Sequence, residues 1–147
     1  MTAEKANVLL SEQTEVDIHF YDVDSVKIVW HGNYLKYLEN GREAFGKKYG
    51  IGYMDIYSQG YVTPIVDVHV RYLNPVVYEE TLVVETSYVP SKAAKLIFKY
   101  TIYRKKDMSV VAEAETIQLF MTKEGIFEAS SPDFYREWKN KWNIQVL

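Results

Sequence analysis

The rhythm of apolar and polar positions changes along this chain and marks out its elements. From about Glu15 to Tyr21 the two kinds alternate. Val16, Ile18 and Phe20 fall on one side and Asp17, His19 and Tyr21 on the other, the period-two pattern of a half-buried strand. From Asn33 to about Tyr49 the spacing becomes helical. Tyr34, Tyr37, Leu38, Gly41, Ala44 and Phe45 form one stripe, with Lys36, Asn40, Arg42, Glu43 and Lys47 around the remainder. No proline interrupts this run, and Gly50 follows it as a stop. Gly41 costs roughly 1 kcal/mol relative to alanine inside a helix. Its place on the apolar stripe predicts that a sheet approaches closely there. A shorter helical turn is expected near Met54 to Ser58, ended by Gly60. Beyond it lie β-type segments at about Tyr61–Leu73, Thr81–Val89, Lys95–Arg104 and Val110–Met121, rich in valine, isoleucine, threonine and tyrosine. Asn74-Pro75, Pro90-Ser91 and Lys106-Asp107 separate them, each suited to a turn. Short links favour antiparallel pairing. Ser131-Pro132 opens a short helix to about Lys141. The predicted architecture is α+β: one antiparallel sheet wrapped around a long helix.

Length and charge narrow the classes. The 147 residues, 48% of them hydrophobic, suit a single domain over 1–147 with a substantial core. The net charge is −3 and the basic residues form no stripe, which disfavours nucleic acid as a partner. There is no cysteine, so disulfides, thiolate chemistry and cysteine-ligated zinc are excluded. No apolar run approaches the roughly 20 residues of a membrane span. The charged start Met1-Thr2-Ala3-Glu4-Lys5 is unlike a signal peptide, and a cytoplasmic location without membrane insertion is expected. His19, His31 and His69 show no ligand spacing, so no metal site is expected.

The candidate chemistry lies between Tyr21 and Tyr34. Asp22 and Asp24 stand in a loop, an apolar run follows, and His31 and Asn33 stand where the long helix begins. Free backbone N–H groups at a helix start can polarise a carbonyl while a carboxylate acts on it or on a water. Hydrolytic acyl transfer is the reading. On composition alone Asp24 reads as a carboxylate capping a turn, with a catalytic role as the alternative, whereas Asp22 reads as a solvated strand end. His31 has two readings of equal weight: an orienting hydrogen-bond donor or proton source for the leaving group, or a helix-start histidine kept neutral by the dipole. Asn33 could cap the helix or line a pocket mouth, and Tyr34 falls on the apolar stripe. Glu39 and Glu43 belong to the polar side. Tyr100, Ile102, Tyr103 and Ile117 are expected to give the sheet an apolar outer surface.

The element order and this loop together resemble the hot dog fold. Within it, the chain resembles the group of 4-hydroxybenzoyl-CoA thioesterases and Tol-Pal-associated acyl-CoA thioesterases, from about Val16 to Lys123. The motif reads Asp24, Ser25-Val26-Lys27-Ile28-Val29, Trp30, His31, Gly32-Asn33, Tyr34; a second match is Val70-Arg71-Tyr72-Leu73-Asn74-Pro75 followed by Tyr78-Glu79-Glu80. The chain departs from the pattern at Lys27, where glycine is usual, and at Trp30, where tyrosine is commoner. The resemblance implies that Asp24 is nucleophile or general base and that the amide of Trp30 or His31 polarises the thioester carbonyl. It implies substrate-binding positions at Asn33 and Tyr34. Lys92 and Lys95 would meet the phosphates of coenzyme A, while Arg104, Lys105 and Lys106 read as a solvated hairpin tip. Coenzyme A would be part of the substrate, with no further cofactor. A homo-oligomer, dimer or tetramer, with each site at a dimer interface is implied as well. The expected function is acyl-CoA hydrolysis; the alternatives are an acyl-carrier-protein thioesterase and a non-catalytic hot dog binding or assembly protein.

Overall fold

The computed structural model describes residues 10–144, so the charged start lies outside it. The first strand, β1 (Ser11–Asp17), begins and ends earlier than its alternation predicts. Val16 and Ile18 are buried and Tyr21 is exposed as expected, but Phe20 is exposed as well. The cause is local. The Asp22 carboxylate accepts the His19 N–H at 2.7 Å and draws the chain into a 3-10 turn over Phe20–Asp22, an aspartate competing with the sheet for backbone.

A second 3-10 turn, His31–Asn33, leads into the long helix α1 (Tyr34–Tyr49), whose buried stripe includes Tyr34, Tyr37, Leu38, Gly41 and Phe45. A Cβ on Gly41 would stand 2.3 Å from Thr86 Oγ1 and 2.9 Å from Val84 Cγ1, so the missing side chain is what lets the helix lie on the sheet. Gly50 ends α1 in the left-handed conformation, and its N–H reaches the Gly46 carbonyl. The short helix α2 (Tyr53–Ser58) follows, its start held by the Asp55 carboxylate on the Gly52 N–H at 2.7 Å.

The expected strand Tyr61–Leu73 is two strands, β2 (Tyr61–Val62) and β3 (Ile65–Tyr72), because Pro64 between them has no N–H to give a ladder. The strands β4 (Thr81–Val89) and β5 (Lys95–Arg104) match their predicted spans. The last segment also divides, into β6 (Val110–Leu119) and β7 (Met121–Thr122). β2 and β7 pair as a small ribbon, while the main five-stranded sheet runs β1-β4-β5-β6-β3, antiparallel at every step. The sheet wraps α1, the arrangement the hot dog resemblance implies. Phe45 of α1 meets Phe98 edge-on at 5.0 Å between ring centroids, and burying it stabilises the fold by about 2–3 kcal/mol.

One expectation about the surface is corrected. Tyr100 and Ile102 are buried on the inner face with Leu96 and Phe98, because alternate β5 residues point to one side. The outer face of β5 carries Lys99 and Thr101, opposite Glu115 and Glu113 of β6, and also half-buried Ile97 opposite Ile117, so Ile117 lies on the outer face as expected and that face is mixed. Further exposed apolar area lies along the unpaired edge of β3, at Val66, Val68 and Tyr72.

The C-terminal helix α3 (Asp133–Lys141) closes the far end of α1. The indole N–H groups of Trp138 and Trp142 both donate to the Tyr49 carbonyl, at 2.7 and 3.0 Å, satisfying an oxygen that the helix end leaves free. Tyr135 donates to the Lys95 carbonyl at 2.8 Å and shares a 2.5 Å hydrogen bond with Tyr88.

Candidate active site

The loop before α1 is a miniature hairpin. Val23 bridges Val29, the Asp24 N–H donates to the Ile28 carbonyl at 2.8 Å, and the Lys27 N–H returns to the Asp24 carbonyl at 2.9 Å. Asp24 Oδ1 accepts the Val26 N–H at 2.9 Å, so the carboxylate does cap a turn, with its side chain half-exposed. Lys27 has φ 66°, the left-handed region. A residue with a Cβ pays about 1–2 kcal/mol there, whereas glycine loses roughly 0.5–1 kcal/mol more entropy on folding. Lys27→Gly is therefore expected to stabilise the protein by about 0.5–1 kcal/mol, the difference between those terms. Urea unfolding checks this; an unchanged or lower midpoint would mean that the Lys27 side chain makes offsetting contacts.

Asp22 is the residue that sequence reasoning misplaced. It is buried, at 4% exposure, rather than a solvated strand end. Its carbonyl accepts both the Trp30 N–H at 2.9 Å and Asn33 Nδ2 at 2.8 Å, tying the hairpin to the helix entrance. The Trp30 amide is thereby committed, which corrects its expected role as donor. The amides of His31 and Gly32, in the first turn of the 3-10 helix that follows the hairpin, have no acceptor among the described residues. The Trp30 ring lies against Gly32, where a Cβ would stand 2.3 Å from it.

Asn33 and Tyr34, the expected substrate-binding positions, are both buried, and the Asn33 amide donates to the Asp22 carbonyl. Tyr34 packs edge-on against Tyr37 and Tyr72, and burial, followed by the neighbouring Tyr72, pushes its phenol up to about 12. The Tyr37 hydroxyl has no hydrogen-bond partner among the described residues; burial and then the Asp22 charge raise its pKa. His31 is exposed, and its carbonyl accepts the Tyr72 hydroxyl at 2.8 Å, which fastens the end of β3 to the helix entrance. Behind the hairpin runs the acidic turn Tyr78-Glu79-Glu80. The Val29 N–H donates to the Val76 carbonyl at 2.8 Å. Glu80 accepts the Val77 N–H at 2.8 Å and Arg104 Nε at 2.5 Å. Arg104 is thus no solvated tip, and Lys105 is paired with Glu15 at 2.6 Å.

At the opposite end of the sheet lies a cleft of about 690 Å³ that the sequence did not announce. Arg42, Ile56, Pro64, Leu96, Phe98 and Gln118 line it. Glu39 and Glu43 stand exposed on its edge, Glu43 paired with Lys47 at 3.2 Å. Lys92 is exposed and Lys95 half-buried, and neither has a carboxylate within 4.0 Å among the described residues. Lys139 of α3 joins them, its Nζ 3.3 Å from the Ser91 carbonyl and its pKa lowered by burial. The register aligns Lys95 with Leu119 and both Leu96 and Ile65 with Gln118, so the cleft and the lysines share the Ile65 end of β3. The Asp24 hairpin sits at the Tyr72 end, about 25 Å away at ~3.3 Å per strand residue. One chain does not bring the halves together. No group of three or more metal-ligating side chains occurs among the described residues.

Comparison with known proteins bears on the family and the fold. A family model described as the thioesterase-like superfamily matches residues 18–138. A Bacillus subtilis (strain 168) protein named a putative acyl-CoA thioesterase, YneP, is 30% identical over 130 residues, covering 85% of this chain and 93% of that one. Among solved structures, the 4-hydroxybenzoyl-CoA thioesterase of Pseudomonas sp. strain CBS-3 superimposes with a TM-score of 0.76 at 25% identity, over 87% of this chain and 98% of that one. The DHNA-CoA thioesterase of Staphylococcus aureus gives 0.77 at 22% identity, over 92% and 97%. No helix among the described residues is long and apolar enough to cross a membrane.

Proposed function

The chain belongs to the thioesterase-like superfamily, and from that premise we propose that it hydrolyses acyl-CoA thioesters to a carboxylic acid and free coenzyme A. The observation that carries this reading is the half-exposed Asp24 carboxylate on a hairpin that leads directly into a helix start where the amides of His31 and Gly32 have no acceptor among the described residues. The amides would hold the thioester oxygen as charge builds on it. Asp24 would act as general base, taking a proton from a water whose oxygen attacks the carbonyl carbon, or as nucleophile, forming an anhydride that water then opens. In either case the C–S bond breaks and the sulfur leaves to be protonated as the thiol. The scheme draws on no metal or cofactor. Release of free thiol from a panel of acyl-CoAs tests it, with the same acyl groups on acyl-carrier protein alongside. Preference for the carrier protein would favour that second substrate class; silence on both would leave a non-catalytic binding protein.

The working unit in this reading is a homo-oligomer. β3 is an unpaired edge with exposed apolar side chains, a feature that invites pairing with another strand. Antiparallel pairing of two β3 strands about a two-fold axis would set the hairpin of one copy against the cleft and lysines of the other. Light scattering at micromolar concentration should give a dimer or tetramer; a monomer would overturn this arrangement.

Lys92 and Lys95 would hold the phosphates of coenzyme A, which do not change during reaction. Their contribution is then nearly equal in ground and transition states. Replacing both by alanine is expected to raise KM for acyl-CoA several-fold, on the order of 10-fold, with a smaller change in kcat. A thioester lacking the nucleotide should feel little of it. An unmoved KM would place the phosphates elsewhere.

A further inference from the structure

We propose that the cleft takes acyl groups bearing a second carboxylate, and that Arg42 is the residue that recognises it. The inference rests on the thioesterase reading and deepens it. Arg42 is half-buried on α1 and lines the cleft. Its one hydrogen bond goes to a neutral partner, the Tyr100 hydroxyl at 3.1 Å, and that hydroxyl is itself held by Thr116 Oγ1 at 2.6 Å. No carboxylate among the described residues comes within 4.0 Å of the guanidinium. The nearby acids are otherwise placed: Glu43 pairs with Lys47, Asp55 caps α2, and Glu39 stands exposed on the edge. Ile56, Pro64, Leu96 and Phe98 give the cleft its apolar walls, beside Gln118, whose amide is spent on Thr63, and Lys47, which is paired with Glu43.

A guanidinium drawn partly out of water costs free energy until an anion meets it. Five N–H donors in a fixed fork match the two oxygens of a carboxylate, and one of the five is used here. The apolar walls suit a hydrocarbon or aromatic spacer, and the nucleotide phosphates have Lys92 and Lys95 outside the cleft. An acyl-CoA made from a dicarboxylic acid fits this distribution: thioester at the cleft mouth, spacer on Leu96 and Phe98, free carboxylate on Arg42. A neutral chain of equal length would bury the same apolar area and leave the fork unpaired.

The test compares kcat/KM for glutaryl-, adipyl- and suberyl-CoA with hexanoyl- and octanoyl-CoA. The parent protein should favour the best carboxylated substrate over the best neutral one by at least about 10-fold, and Arg42→Gln should cut that ratio by about 30-fold or more, the effect of removing one partner of a hydrogen-bonded charge pair. Arg42→Lys should restore part of it. Free adipate, titrated into parent and Arg42→Gln by calorimetry, gives a readout that needs no turnover: binding to the parent only is expected. A parent that prefers neutral chains, or an Arg42→Gln that lowers both classes equally and binds adipate as the parent does, overturns the proposal while hydrolysis stands. Absence of all thioester turnover refutes the functional reading instead, and adipate binding then decides the cleft alone. Should Arg42→Gln fail to fold, the substrate ratio and adipate binding of the parent still give the answer.

Discussion

Asp24→Asn is expected to lower kcat by about 10²–10⁴, the usual contribution of a positioned acid–base group, with the unfolding transition unchanged. The structure makes this substitution unusually discriminating. Asp24 caps a turn through Oδ1 on the Val26 N–H, and an asparagine amide oxygen can accept that bond equally well. The hairpin therefore survives, and what disappears is the charge. If capping were all that Asp24 did, Asp24→Asn would keep full activity and only Asp24→Ala, which loses the cap, would fail. Asp22→Asn should separate from it in the other direction. Buried Asp22 supports the loop through its carbonyl and holds the His19 N–H, so its replacement should be felt in stability more than in kcat. Equal losses of kcat from both would reject the assignment of Asp24.

Glu80→Ala is expected to destabilise the protein by about 2–3 kcal/mol. Breaking a fully buried ion pair costs roughly 3–5 kcal/mol, and the figure is reduced because the Glu80 and Arg104 side chains keep 11% and 19% exposure. The loss has several parts: Arg104 keeps its charge without a carboxylate at 2.5 Å, and the Val77 N–H loses its acceptor. For a chain of this size the melting temperature should fall by about 5–10 °C. The effect should reach the chemistry too, because the same turn carries the Val76 carbonyl that receives the Val29 N–H and the Val77 bridge to Ile28. A loosened hairpin should lower kcat for every acyl-CoA alike. A melting temperature within 1–2 °C of the parent, outside the range expected from about 2 kcal/mol, would show that Arg104 finds another partner at no cost.

Much of this architecture was legible in the sequence because it rests on local signals. The helical stripe from Tyr34 to Phe45, the stop at Gly50 and the spans of β4 and β5 follow from periodicity and turn residues, which act within a few positions. Gly41 also declared itself, since a glycine on an apolar helical stripe has few other uses. What failed depended on partners distant in sequence or on a single hydrogen bond. The Asp22 carboxylate on the His19 N–H ended β1 early, and nothing in the alternation from Glu15 to Tyr21 foretold which would win. Tyr100 and Ile102 were assigned to the wrong face because the reading mixed odd and even positions of one strand. The motif located the loop of Asp24 just ahead of the helix entrance but could not say which amides lacked an acceptor; that required knowing that the Asp22 carbonyl already held Trp30. The cleft was invisible for a different reason. Its lining runs from Arg42 on α1 to Gln118 on β6, and only the folded register brings these residues together.

The two indoles joined on the Tyr49 carbonyl also give the molecule a built-in optical division. The chain has 3 tryptophans; Trp138 and Trp142 share that oxygen at the closed end of α1, while Trp30 lies half-exposed on the hairpin beside Gly32. Light emitted from Trp138, shielded from water, comes at shorter wavelength than light from solvated Trp30, and a water-soluble quencher reaches mainly the latter. Events at the hairpin therefore colour the red side of the emission band, and undocking of α3 the blue side. Substituting Trp30 by phenylalanine would leave a spectrum that belongs to the scaffold alone.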